Sequence, residues 1–266
     1  MCSWILLKES LMGVEEQGGT VEFIRLMDIN IKPPSGEDMP RVSGDSAAAL
    51  SKKMAKADGI ILSAPVYCLT APGFLINIRD RVSIRHSIPE KLQIGGLIAV
   101  GGTDWVNLAL PTMYLFLPHG HTKLVDQMLL SYTSHLGQVV LNKEAIARAR
   151  KLGENVGRAI KIPGNEVDYV GDEYWTCPIC RQNLLRIRGK LVECPICDIK
   201  GRLEIKEGDI KVTFTEEDIQ SYYRWGSEGL KRHGEAMKMS DDIFKEHQAE
   251  IKNLMVKYEN YNPSSS

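Results

Sequence analysis

Two hydrophobic rhythms alternate along the first 160 residues. Trp4, Leu7, Leu11 and Val14 fall three or four apart, the spacing of one helix face, and Gly18-Gly19 supplies a stop. Thr20 to Leu26, rich in β-branched and aromatic residues, predicts a strand, and Lys32 to Pro40 predicts a loop from its prolines and glycine. Asp45 is placed to cap a helix carrying Leu50 and Met54. After Gly59, the apolar run Ile60 to Leu62 ends in the turn Ser63-Ala64-Pro65-Val66-Tyr67. A second turn, Ala71-Pro72-Gly73, then opens a helix with Phe74, Leu75 and Ile78 on one side. Gln93 to Val100 predicts another strand, closed by Gly101-Gly102. Asn107 to Phe116 follows as a helix with Pro111 in its first turn, and Leu124 to Leu130 as a strand. Asn142 to Ile160 is a helix with Ala145, Ala149, Leu152 and Val156 on one face. Strands alternating with helices in this way predict an α/β fold with a mostly parallel sheet and right-handed crossovers.

The rhythm then breaks. Cys177-Pro-Ile-Cys180 and Cys194-Pro-Ile-Cys197 are separated by thirteen residues, whose apolar and basic runs flank Gly189 as a β-hairpin would. Thr215 with Asp218 three residues on has the spacing of a capping box, opening a helix through Ile219, Tyr222 and Tyr223. Ser240 is read as the cap of a last helix striped by Ile243, Phe244, His247, Ile251, Leu254 and Tyr258, with a frayed end over Asn260 to Ser266.

Composition narrows the function classes. The 266 residues are 43% hydrophobic and 25% charged with a formal net charge of −1, so no global field points to nucleic acid or to a membrane surface. No apolar run approaches the roughly 20 residues needed to span a bilayer, and the first residues do not read as a secretory signal. A cytoplasmic setting is therefore expected. Of six cysteines, Cys2 and Cys68 stand alone and four form the two pairs, which in a reducing compartment suggests metal rather than disulfides.

Each C-x-x-C presents two thiolates on one knuckle, and two knuckles make a tetrahedral S₄ site from Cys177, Cys180, Cys194 and Cys197. The module resembles a zinc ribbon. Zinc is the expected metal and a single iron, as in rubredoxin-like modules, the alternative, because S₄ suits both. Arg181-Gln182, where rubredoxins carry Gly-Tyr after the first pair, favours zinc. Arg181, Arg186, Arg188, Lys190, Lys200 and Arg202 outnumber Glu193 and Asp198 here. A solvated basic face is expected rather than nucleic-acid binding.

The order strand-S-x-P-V-Y, then a helix ending in Asp80-Arg81, resembles the NADPH-dependent FMN reductase and iron–sulfur flavoprotein branch of the flavodoxin superfamily. The resemblance extends over about residues 3 to 160. It implies a flavodoxin-like parallel sheet with flanking helices, bound FMN, and NAD(P)H as electron donor. Under it, Ser63, Ala64, Pro65, Val66 and Tyr67 contact the flavin through turn amides and the tyrosine ring. Gly101, Gly102 and Thr103 stand where the family carries a glycine-rich flavin loop, although Asp104 and Trp105 follow instead of further glycines. His119-Gly120 resembles the His-Gly step of related quinone oxidoreductases, with His121 as a rival. Ser3 aligns with the hydroxyl residue ending the family's phosphate loop. The first strand and most of that loop have no counterpart after Met1: either the start is truncated or the fold has lost its phosphate site. The segment after the second predicted strand, Asp28 to Pro34, holds no cysteine, which excludes the branch's [4Fe–4S] cluster there.

The combined expectation is a flavodoxin-like domain at 1–165, a zinc-ribbon-like module at 172–213 and C-terminal helices at 214–262. The expected activity is FMN-dependent NAD(P)H oxidation that reduces a flavin, quinone or protein acceptor, in a homo-oligomer without membrane or nucleic-acid partners. The alternative is a non-catalytic binding or regulatory protein on a degenerate flavodoxin scaffold, with the ribbon as its contact.

Overall fold

The computed structural model describes residues 2–33, 44–82, 91–117, 121–163, 166–172 and 177–259. It divides into two compact units, Met1–Ile196 and Cys197–Ser266, which are taken in turn.

The first unit runs α1 (Cys2–Glu16), α2 (Ala47–Lys56), β1 (Gly59–Pro65), α3 (Gly73–Arg81), β2 (Gln93–Val100), α4 (Ala109–Tyr114), β3 (Thr122–Leu130), α5 (Lys143–Ala159), β4 (Arg186–Arg188) and β5 (Leu191–Glu193). β1, β2 and β3 form a parallel sheet in that order. β2 is buried at every residue, as a central strand covered on both faces must be, and its sequence QIGGLIAV is nearly all apolar for that reason. The β2–β3 register slips between Gly95 and Gly96, where the partner changes from Leu124 to Asp126.

α1 and α5 lie side by side on one face. Leu6, Val14, Ala149, Leu152 and Val156 pack with Ile94, Ile98, Val125 and Met128 of the sheet in the main core. Their backbones approach so closely that a Cβ added to Gly153 would stand 1.7 Å from the Ser10 carbonyl oxygen. Arg150 of α5 ties the pair from outside, donating to Glu9 at 2.7 Å and to Glu16 at 2.5 Å. Gln93 at the start of β2 donates to the carbonyls of Met54 and Ala57, anchoring the end of α2.

The cap expected at Asp45 is present: Oδ1 accepts from the Ala47 amide at 3.1 Å. Its other oxygen accepts from Arg81 at 2.9 Å in an ion pair whose side chains are only 1% and 3% exposed.

The strand expected over Thr20 to Leu26 does not form. Residues 19–25 are irregular, followed by a single 3-10 turn, Leu26–Asp28. β-propensity places a residue on a pleated surface only when a neighbouring strand completes the ladder. Among the described residues no strand stands beside this segment.

β4 and β5 make the hairpin expected around Gly189, whose φ is +62°. The second unit opens with another hairpin, β6 (Lys200–Lys206) and β7 (Asp209–Thr213), which the pattern reading missed. Its turn residues Glu207 and Gly208 both have positive φ, the two-residue loop that Gly208 makes accessible. α6 (Glu216–Tyr222) starts at the expected box: Thr215 Oγ1 accepts from the Asp218 amide at 3.1 Å and donates to its carboxylate at 2.6 Å. α7 (Ser227–Glu246) and α8 (Gln248–Glu259) correct the last expectation. Ser240 sits inside α7 rather than capping a helix, and the break falls at His247. A serine's side chain decides a boundary only where the backbone leaves helical geometry, and here the helix is already running from Ser227. Among the described residues no helix is long and apolar enough to cross a membrane.

Candidate active site and metal centre

The parallel strands deliver three loops to one edge of the sheet. Gly101 links two of them: its N–H donates to the Leu130 carbonyl at 2.7 Å and its carbonyl accepts from the Thr133 amide at 3.0 Å. The loop after β1 turns back through a bridge in which Tyr67 and Thr70 exchange backbone hydrogen bonds at 3.0 and 3.2 Å. Between them Cys68 and Leu69 have φ of +46° and +76°, a left-handed conformation that non-glycine residues adopt only when their surroundings impose it. The Leu108 amide, donating to the Leu69 carbonyl at 3.0 Å, and Thr112 Oγ1, accepting from the Ala71 amide at 3.2 Å, impose it. Around this edge stand three exposed aromatic side chains, Tyr67 (62%), Trp105 (68%) and Tyr132 (69%).

A cavity of about 1360 Å³ opens here and extends down the outer side of β1. Ser3, Ser63, Ala64, Pro65, Val66, Tyr67 and Gly102 all line it, so the structure gathers most of the residues singled out from sequence. Ser63 reaches the first turn of α1, its hydroxyl donating to the Ser3 carbonyl at 2.8 Å.

The turn amides need correcting. Val66 N–H donates to the Val100 carbonyl and Tyr67 N–H to that of Thr70, Pro65 has no N–H, and Ala64 faces β2. Cys68 and Leu69, at the turn tip, carry the amides that remain. Gly101 is a structural glycine: its backbone is spent on the loop pairing, and a Cβ would meet Val106 at 2.2 Å. Gly102 is less crowded, although a Cβ there would still stand 3.2 Å from the Ser134 Cβ, closer than an ordinary contact. Thr103 lies outside the cavity lining and accepts from the Trp105 amide at 3.2 Å. His121 stands at the opposite end, just before β3 begins, where its carbonyl accepts from the Gln93 amide. His119 lies outside the described residues.

The loop after β3 was missed. Thr133, Ser134, His135 and Leu136 line the cavity, and the His135 carbonyl accepts from the Cys2 thiol at 3.1 Å. The signal was positional: Ser131 to Gly137 follows a strand at the same edge as the two loops that were noticed.

The four paired cysteines converge as expected. Their sulfurs all lie within 4.8 Å of one another, and all four residues are buried. The Cys180–Cys194 separation is 3.6 Å. A tetrahedron with metal–sulfur bonds of about 2.3 Å has edges of about 3.8 Å, so the donor set fits one S₄-bound ion. Each knuckle closes on a left-handed residue, Arg181 with φ +58° and Asp198 with φ +63°. The first is held by the Cys177 amide on the Gln182 carbonyl and the Arg181 amide on the Cys177 carbonyl. Burial lowers the Arg181 pKa, opposed by the negative charge that Cys177 carries as a thiolate. Buried Gln127 of β3 supports this knuckle, donating to the Arg181 carbonyl at 2.7 Å and accepting from Gln182 Nε2 at 2.9 Å.

The profile of the NADPH-dependent FMN reductase family matches residues 2–147, more than half of the sequence. The chain belongs to that family. Among curated proteins, it is 30% identical over 217 residues to a flavone synthase, cfoJ, of Aspergillus candidus, covering 72% of this chain and 66% of that protein. It therefore spans just under two thirds of that relative's length. An iron–sulfur flavoprotein of Methanocaldococcus jannaschii is 28% identical over 176 residues, 59% of this chain and 90% of that one. Among solved structures, a flavone reductase superposes with a TM-score of 0.82 at 23% identity, covering 99% of this chain and 94% of its own. That superposition shows that the flavodoxin-like fold is shared.

FMN and NAD(P)H are the cofactor and donor that this FMN reductase family implies. The residues present fit FMN: the cavity wall joins apolar side chains to exposed aromatic ones. Among the described residues the Cys68 and Leu69 amides have no backbone acceptor, so they would supply polar contacts, and the first turn of α1 with Ser3 would supply amides toward an anionic group.

Proposed function

We propose that this chain is an FMN-dependent NAD(P)H oxidoreductase that reduces a small planar aromatic acceptor, of which a flavone is the leading candidate. The observation that carries the reading is the open edge ringed by Tyr67, Trp105 and Tyr132, above a cavity already lined by Ser3, Ser63–Tyr67 and Gly102. The fungal relative, a flavone synthase, and the superposed flavone reductase both act on the flavone skeleton by name and support the flavone assignment. Bound FMN supplies two-electron chemistry, taking a hydride from the nicotinamide and giving it to the acceptor. The balance is NAD(P)H plus a proton plus acceptor, giving NAD(P)⁺ and the dihydro product. The chain's own residues bind and orient: Gly102 lines the cavity mouth, Tyr67 and Trp105 stack on planar partners, and the Cys68-Leu69 amides hold a polar edge. In this reading Cys177, Cys180, Cys194 and Cys197 hold a structural zinc, with a single iron as the alternative that would make the module an electron carrier.

The test is an anaerobic titration of the purified protein with FMN, followed by NADPH, NADH and then a flavone, with zinc and iron measured on the same sample. Binding of FMN, bleaching of its visible bands by a nicotinamide and reoxidation by the flavone are expected. Trp105→Ala should raise the KM for the flavone about tenfold or more and leave FMN bleaching unchanged. A protein that refuses FMN would overturn the enzyme reading and leave the binding-protein alternative, with the basic face of the cysteine module as contact.

A further inference from the structure

We infer that α7 and the start of α8 form an antiparallel two-helix seam with the same segment of a second copy of this chain. Within its own unit α7 is anchored at its start. Gly229, the buried residue of this helix, packs on the end of α6, where an added Cβ would stand 2.3 Å from the carbonyl oxygens of Tyr223 and Arg224. Arg232 donates to the Ser221 and Tyr222 carbonyls at 2.9 and 3.2 Å. Every residue from Leu230 to Glu250 is then exposed. Helical hydrogen bonds still pass the break at His247: its amide donates to the Ile243 carbonyl, and its carbonyl accepts from the Ile251 amide.

An isolated helix of this length is marginal in water, and Gly234, Ile243 and Ile251 lower its propensity further. Its stability has to come from an apolar face packed on something. Such a face is present. Leu230, Met237, Phe244, Ile251 and Tyr258 recur at intervals of seven, and the first three are 46–52% exposed. A strict seven-residue repeat has the 3.5-residue period of a two-helix supercoil, whereas a helix lying on a globular surface follows 3.6.

Two features select a second copy lying in the reverse direction. The stripe is self-complementary: a two-fold axis between Ser240 and Asp241 sets Leu230 opposite Ile251 of the second copy and Met237 opposite its Phe244, and repeats both layers beyond the axis. This overlap is about 33 Å long at 1.5 Å per residue. Charge is also divided along the helix. Lys231, Arg232 and Lys238 outnumber Glu235 in the first half, and Asp241, Asp242, Glu246 and Glu250 outnumber Lys245 in the second. Antiparallel pairing lays the basic half on the acidic half and places Lys238 of each copy near Asp241 of the other. Parallel pairing would lay like charge on like. His233, Ser240 and His247 fall between the apolar layers, and polar positions in a seam fix register at a cost in stability, so the dimer is expected to be reversible.

The test uses the full 266-residue chain, followed by sedimentation velocity and circular dichroism from about 0.1 to 100 µM. The chain should pass from monomer to dimer over this range, and its helical signal should fall on dilution, because α7 loses its cover. Met237→Glu should weaken the dimer by about a hundredfold or more. Lys238→Glu and Asp241→Lys should each weaken it by about tenfold, and the two exchanges together should restore it. A chain that stays monomeric throughout would overturn the inference, as would a dimer indifferent to Met237→Glu, which must use another face. A dimer lost in Met237→Glu but not rescued by the double exchange would overturn the antiparallel pairing. None of the substituted residues lines the flavin cavity, so FMN titration of the same samples reads the reductase proposal separately.

Discussion

Gly153→Ala separates packing from helix propensity, because the two make opposite predictions. Propensity alone favours alanine inside a helix by about 1 kcal/mol. In this fold the new Cβ would stand 1.7 Å from the Ser10 carbonyl oxygen, 2.5 Å from its carbon and 2.8 Å from its Cα. All three are backbone atoms of α1, so no side chain can swing aside. Restoring an ordinary contact of 3.4 Å requires α1 and α5 to separate by about 1.7 Å. That movement opens the layer where Leu6, Leu152 and Val156 pack against the sheet. Overpacking of this kind costs about 1–3 kcal/mol, at the upper end here because both partners are rigid. The net expectation is about 2 kcal/mol of destabilisation, or roughly 4–8 °C in Tm. Gly234→Ala is the control: its Cβ position has nothing within 4 Å, so alanine there should stabilise α7 by about 0.5–1 kcal/mol. Urea unfolding of both variants, followed by circular dichroism, provides the comparison. A Gly153→Ala protein as stable as the parent, with an unchanged m value, would refute the close helix contact. Because α1 begins at the cavity mouth, the variant should also retain FMN less tightly.

Two further outcomes follow from the polar network. Gln127→Ala removes both side-chain bonds that hold the Cys177–Cys180 knuckle, so stability should fall by about 1–3 kcal/mol and metal affinity by about tenfold or more; a chelator competition measures the latter, and unchanged affinity would make the contact incidental. Asp45 titrates below its ordinary 3.8: burial pushes the pKa up, but the Arg81 hydrogen bond and the amides of Ala47 and Lys32 outweigh it. Its folded-state pKa is thus depressed, so its stabilisation is complete above about pH 4 and is lost as pH falls through the folded value. Asp45→Ala should cost about 3–5 kcal/mol at pH 7 and flatten the acid limb of the stability curve; an unchanged limb would assign acid unfolding to other carboxylates.

Periodicity and turn chemistry, which act within a few residues, were legible in the sequence. The helices α1 and α5, the strands β1 to β3, the Gly189 hairpin and the Thr215 box all announce themselves through local spacing. So does the S₄ site, because two knuckles of fixed internal geometry need only be brought together. The tertiary structure decided what depends on neighbours. Thr20 to Leu26 has strand composition, yet among the described residues it has no ladder partner, and a strand exists only in a ladder. Gly101 and Gly102 look alike in sequence, but hydrogen bonds to Leu130 and Thr133 at the end of β3 consume the backbone of the first, while the second lines the cavity. Val66 and Tyr67 were chosen for amides that the fold spends on the end of β2 and on the turn itself. The loop at Ser131 to Gly137 carries no motif, and only the parallel sheet, by bringing the carboxyl ends of its strands to one edge, makes it part of the site.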